Sequence, residues 1–204
     1  MRIRIILGMS VLFQFSAAAQ TVGSFTDERD GYVYKTVTYE MKHGNDSIST
    51  MTWMAQNLNY KTESSYCYDD YDANCGIMGR LYIWSAAMKA CPDGWHLPDD
   101  REWRQLADLF GGVNVAANAL KSTSELWQQW AQGTNKSLFA AMPYGHGTVG
   151  SGYFAFKLNA TFWSAEDING AYASDWVLSD WERMIRYNGN KATAANSVRC
   201  TKDQ

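Results

Sequence analysis

Three absences narrow the reading before any motif is considered. The chain has no concentrated basic face. Its 18 lysines and arginines are outnumbered by 21 acids and are scattered singly, which excludes the clustered charge a protein needs to displace counterions from a nucleic-acid backbone. It has no apolar run of membrane-spanning length. The longest, Ile5 to Phe15, falls well short of the roughly 20 helical residues that a hydrocarbon core requires. It also lacks the spacings of familiar reactive centres: neither G-x-S-x-G nor H-E-x-x-H occurs, and no glycine-rich phosphate loop is expected. No C-x-x-C is present, and His43, His96 and His146 are too far apart for zinc-ligand spacing, so a structural zinc site is not expected.

What is there begins at the N-terminus. Arg2 and Arg4 precede the apolar run, and Ala17-Ala18-Ala19 offers a small-x-small cleavage site, so residues 1–19 are expected to be a secretory signal peptide. With cleavage after Ala19, no cysteine stands at the new N-terminus and a lipid anchor is not expected. Losing two arginines and no acid takes the formal charge from -3 to -5. The mature chain is expected to be exported, with periplasmic, cell-surface or extracellular placement.

Cys67, Cys75, Cys91 and Cys200 all fall after that site, and an even count in an exported chain points to two disulfides. Three pairings are possible. Cys67 and Cys75 enclose the polar, turn-rich Tyr68-Asp69-Asp70-Tyr71-Asp72-Ala73-Asn74, so they are paired as a local staple, and Cys91 with Cys200 follows. Nine tryptophans, twelve tyrosines and eight phenylalanines leave either a heavy core or an exposed stacking surface open.

Along the chain, 20–29 reads as a flexible lead-in and 30–204 as one domain without repeats or linkers. Tyr32 to Tyr39 alternates bulky and polar residues as a half-buried strand does, and Thr50 to Met54 reads as its hairpin partner. Residues 61–79 form an acidic, cysteine-clipped loop. Leu81 to Ala90 suits a helix ended by Pro92 and Gly94. Asp99 can cap a second helix with Glu102 at its third position, and Trp103, Leu106, Ala107 and Phe110 form its core stripe. A short helical piece spans Val115 to Lys121. Candidate strands follow at Phe139 to Tyr144, Gly152 to Leu158, Ala160 to Ser164, Ala173 to Leu178, Met184 to Tyr187 and Ser197 to Cys200. The class is α+β.

Six ordered blocks carry a family likeness: Asp30-Gly31-Tyr32-Val33-Tyr34-Lys35-Thr36-Val37, Trp53-Met54-Ala55-Gln56-Asn57-Leu58-Asn59-Tyr60, Gly79-Arg80-Leu81-Tyr82, Ala90-Cys91-Pro92-Asp93-Gly94-Trp95-His96-Leu97-Pro98 continuing to Leu106, Phe162-Trp163-Ser164-Ala165-Glu166, and Ser197-Val198-Arg199-Cys200. In these the chain resembles the Fibrobacter succinogenes major paralogous domain family. The resemblance implies a C-type-lectin-like domain, similar to the formylglycine-generating enzyme fold, with two helices, a small antiparallel sheet and long loops. It also implies an exported, often surface-attached protein, and it supports the Cys91–Cys200 bridge as the staple between first helix and last strand. Such folds serve sugar binders, protein binders and a few enzymes, so function must come from the site.

The expected function is a non-catalytic recognition or scaffold domain for a glycan or a surface protein. The alternatives are an enzyme of the formylglycine-generating type, which would need a reactive cysteine pair, and a purely structural secreted protein. The loop face offers Tyr144, His146, Glu166, Asp167, Asn169, Asn188 and Asn190, a mix of rings, amides and carboxylates suited to sugar C–H patches and hydroxyls. Trp84, Trp95, Trp103, Trp163 and Trp176 are assigned to the core, and His96 is read as structural, its ring satisfied by backbone. Asp70-x-Asp72-x-Asn74 copies the opening of an EF-hand loop. Cys75 stands where that loop needs Gly, and Leu81 where it needs Glu. No Glu-Pro-Asn, Gln-Pro-Asp or Trp-Asn-Asp occurs either. No cofactor is expected, and calcium at these three residues is the candidate set against a solvated acidic loop.

Overall fold

A computed structural model describes residues 19–43, 47–179 and 183–204; the signal-peptide reading lies outside them except for its last residue. The chain opens as an antiparallel meander of β1 (Gln20–Thr26), β2 (Val33–His43) and β3 (Ser47–Met54). Residues 20–26, expected to be a flexible lead-in, are instead paired along the whole of β1, from Gln20 opposite Tyr39 to Thr26 opposite Val33. The strand is mostly exposed on its faces, so no apolar alternation marked it; main-chain pairing to β2 holds it.

The cysteine-clipped segment is less irregular than expected. It contains β4 (Ser65–Tyr66), a 3-10 turn at Tyr68–Asp70 and α1 (Asp72–Met78), closed by the Cys67–Cys75 disulfide. Next come β5 (Leu81–Tyr82), α2 (Trp84–Ala90), β6 (Trp95–His96), α3 (Asp100–Asp108) and α4 (Ala116–Leu120). The expected helix from Leu81 starts three residues later because Leu81 and Tyr82 pair with β4. The α3 cap forms as predicted: Asp99 Oδ1 accepts from the Glu102 amide at 2.8 Å, and Glu102 Oε2 accepts from the Asp99 amide at 2.9 Å. The final stretch holds β7 (His146–Thr148), β8 (Gly152–Phe154), β9 (Ala160–Asp167), β10 (Tyr172–Leu178), β11 (Met184–Asn190), β12 (Ala194–Ser197) and β13 (Thr201–Lys202).

The class is α+β, as expected, but richer than two helices and one small sheet. Four α-helices occur among the described residues. Two sheets form, one ordered β1-β2-β3-β13-β6 and the other β11-β10-β9-β12-β5-β4, with the β7–β8 hairpin attached to β12. Pairing between these strands is antiparallel except for a parallel contact between Ser197 and Phe162, and isolated parallel bridges join Lys121 to Ala141 and Gly145 to Ala160. Phe139 to Tyr144, a candidate strand, is not one. Leu138 just before it and Ala140 within it have φ of 60° and 54°, a conformation that breaks an extended ladder.

The main core lies between the sheets. Trp103 from α3 is fully buried and sits 4.7 Å from Trp53, 5.5 Å from Phe162 and 6.0 Å from Phe139, ring centre to ring centre. Leu106, Leu120, Trp176 and Leu178 complete it. A second core gathers Tyr34, Met54, Leu58, Tyr82, Leu97, Trp163 and Val198. The C-terminal run crosses between the sheets: Ser197 pairs with Leu81 in one and Thr201 with Trp53 in the other. Between them Leu58 donates to the Val198 carbonyl and Met54 to that of Cys200, which is bonded to Cys91. Both expected disulfides are therefore present.

Candidate functional site

Period-two alternation gives the β9–β10–β11 sheet two different faces. Phe162, Trp176, Leu178 and Met184 point into the main core. The residues between them, Thr161, Asp175, Val177, Ile185, Tyr187 and Gly189, line a cleft of about 540 Å³ on the other face. The rim is completed by His146 and Thr148 from β7, Ala194 and Asn196 from β12, and Asn159, Ser179 and Arg183.

Asp175 lies at the base of this cleft and is 7% exposed. Its Oδ2 accepts from the Asn196 amide at 3.1 Å, while its Oδ1 is buried with no hydrogen-bond partner. Burial pushes the carboxyl up to about 6, although the Asn196 bond, the charge of Arg186 and the Tyr187 main-chain amide all favour the ionised form. Thr161 Oγ1, in the same lining, is also buried and unpartnered. Buried polar atoms are nearly always satisfied. Two orphans beside one cleft leave hydrogen-bonding capacity there that no protein partner fills. His146 is half-buried, and burial alone lowers its pKa below 6.5, so near neutral pH it presents both a donor and an acceptor.

Gly189 shapes the floor. A β-carbon there would stand 2.5 Å from the Trp163 ring and 2.9 Å from Asp175 Oδ2, so only glycine lets β11 close over both. Trp163 is anchored in turn by its indole N–H, which donates to the Tyr82 carbonyl at 2.6 Å.

The structure separates the sequence candidates. His146 lines the cleft, whereas Tyr144 lines a different groove. Glu166 and Asp167 are exposed at the end of β9, where Asp167 binds Lys191 Nζ at 2.5 Å. Asn169 Oδ1 accepts from the Ala171 and Tyr172 amides, and Asn190 Oδ1 from those of Ala192 and Thr193, so both side chains build turns. Asn188 is exposed on β11. Of the calcium candidates, Asp70 accepts from the Tyr153 hydroxyl at 2.5 Å, Asp72 opens α1, and Asn74 donates to the Tyr68 carbonyl at 2.8 Å. Among the described residues no group of three His, Cys, Asp or Glu could hold a metal ion.

Three further corrections apply. His96 is held by side chains rather than backbone, with Nε2 2.9 Å from Glu102 and Nδ1 2.5 Å from Asp203. Trp103, Trp163 and Trp176 are buried, but Trp84 and Trp95 are only half-buried. Gly145-His146-Gly147-Thr148-Val149-Gly150 does have G-x-G-x-x-G spacing, yet it runs through β7 and its turn into β8. It opens no helix and so lacks the helix N-terminus that would hold a phosphate. Asp175, Thr161 and Asn196 were missed because they sit within strands, where period-two reading assigns faces without saying which face is covered.

Fold and cleft together define a disulfide-stapled α+β domain with a polar, partly unsatisfied recess on one sheet. The Fibrobacter succinogenes major domain model matches residues 47–202, and the chain belongs to that family. The match runs from β3 to β13, while β1 and β2, which complete the first sheet, lie wholly before it. No curated protein and no solved structure matches the chain. All four cysteines are in disulfides, and none is free. No helix of the described residues is long and apolar enough to cross a membrane.

Proposed function

We propose that the chain is an exported recognition domain of C-type-lectin-like architecture that binds a neutral glycan in the Asp175 cleft. The observation that carries this reading is the pair of buried, unpartnered acceptors, Asp175 Oδ1 and Thr161 Oγ1, at the floor of one recess. Sugar hydroxyls are donors that a carboxylate and a hydroxyl oxygen accept, while the amides of Asn159 and Asn196 and the neutral His146 can answer the sugar's acceptors. Tyr187, 52% exposed at the rim, offers a ring face for C–H patches. A protein interface would favour an apolar anchor in a dry pocket, whereas this lining mixes Val177 and Ile185 with Thr161, Asp175 and Asn196.

Export is supported by the N-terminal pattern of Arg2, Arg4, Ile5 to Phe15 and Ala17-Ala18-Ala19, and by two disulfides of a kind that persist in oxidising compartments. An enzyme of the formylglycine-generating type would use a reactive thiol, and the bonding of all four cysteines favours binding over that alternative. The test is a screen of the mature chain on a glycan array and on isolated cell-wall polysaccharide, beside a pull-down from surface proteins. Saccharide binding supports the proposal. A single captured surface protein with no saccharide signal overturns it in favour of a protein partner.

A further inference from the structure

A second recess lies away from the Asp175 cleft, and the charged residues in its lining are cationic only. It is a groove of about 630 Å³ whose lining includes Lys35, Asn57, Met142, Tyr144 and Arg199 and contains no aspartate or glutamate. That is unexpected in a chain whose acids outnumber its lysines and arginines by 21 to 18.

Arg199 is 1% exposed. Its Nε donates to Asn57 Oδ1 at 2.9 Å, its Nη1 to the carbonyls of Phe139 and Met54, and its Nη2 to that of Ala140 at 3.2 Å. The guanidinium also lies 4.3 Å from the Phe139 ring centre. Every partner is neutral, and no carboxylate forms an ion pair with Arg199 among the described residues. A guanidinium carries five N–H donors, and the four bonds to protein oxygens leave one Nη2 proton over. Burial lowers its pKa to about 9, so the group stays cationic at neutral pH. Such buried charges are ordinarily paired with a counter-ion. Lys35, exposed on β2, adds a second cation to the same lining.

We infer that this groove is a second ligand site, which takes a small molecule through its carboxylate. The carboxylate would accept the remaining Nη2 proton, with Lys35 drawing the ligand in and the half-buried Tyr144 beside it. This inference does not rest on the glycan reading of the Asp175 cleft. Either recess can fail alone.

The test uses calorimetric titration of the mature, oxidised chain with D-glucuronate and with N-acetylglycine, and with N-acetylglycinamide as the uncharged control. Binding of either carboxylate with none of the amide supports the site, and the preferred probe shows whether the carboxylate belongs to an acidic sugar or to an amino-acid terminus. Because Arg199 also braces the 139–140 main chain, the deciding variants are Lys35→Glu on the surface and Tyr144→Phe. Lys35→Glu is expected to weaken the carboxylate by about tenfold, while Asp175→Asn leaves it unchanged. No heat from either carboxylate at millimolar concentration overturns the inference. So does equal binding by wild type and Lys35→Glu, or a loss caused by Asp175→Asn.

Discussion

Asp175 combines a cost to the fold with an opening for a ligand. Its carboxyl holds its proton up to about pH 6, against 3.8 when unperturbed, so between those values the folded state binds more protons than the unfolded one. Stability therefore falls as pH rises through that window, by roughly 3 kcal/mol for about two units of displacement. Asp175→Asn is expected to flatten this slope and to raise stability above pH 6 in urea unfolding; an unchanged slope would assign the pH dependence to other groups. His96 works in the same direction. Burial lowers its pKa, but the bonds to Asp203 and Glu102 outweigh it and raise the value above 6.5. The stability it contributes is complete below 6.5 and is lost as pH climbs through the raised value. His96→Gln should remove that component, read as a smaller loss of melting temperature on going from mildly acidic to mildly alkaline buffer. At this scale the sequence was least informative. Asn169 and Asn190 looked like ligand contacts because an amide in a loop can face either a sugar or its own main chain, and here both face the main chain. Asp175 and Thr161 gave no motif, since an orphaned atom is a property of packing.

Elements with strong local grammar were legible. The β2–β3 hairpin, the capped α3 and the short α4 follow from alternation, a capping box and an apolar stripe. Elements held by distant partners were not. The strand β1 depends on pairing with β2, and α1 depends on a disulfide that rigidifies an acidic stretch. Phe139 to Tyr144 has a strand's composition, but Arg199 takes the carbonyls of Phe139 and Ala140. The α3 cap is the simplest element to test. Asp99→Ala is expected to destabilise by about 1 kcal/mol, and adding Glu102→Ala should cost less than the two single effects summed, because the two side chains bond reciprocally across one helix start. Full additivity in chemical unfolding would contradict that coupling. The Glu102 change must be read in a His96→Gln background, since Glu102 also holds His96.

For the whole molecule, the C-terminal crossing determines how the two sheets meet. The Cys91–Cys200 disulfide closes a separation of 109 residues, whereas Cys67–Cys75 closes one of 8. In the chain-entropy model the long bridge is worth about 4 to 5 kcal/mol. Replacing both Cys91 and Cys200 by serine should therefore lower stability far more than the same exchange at Cys67 and Cys75, and equal losses in denaturant unfolding would show that strain or local structure dominates instead. The recess on the far side of β9–β11 depends on this assembly, because Asn196 from β12 must reach Asp175 on β10 across β9. The most direct test is calorimetric titration of wild type, Asp175→Asn and Thr161→Val with the neutral saccharide that binds best in an array screen. Binding by wild type and at least about tenfold weaker binding by both folded variants is the expected result. Undiminished binding by either variant would contradict the cleft assignment.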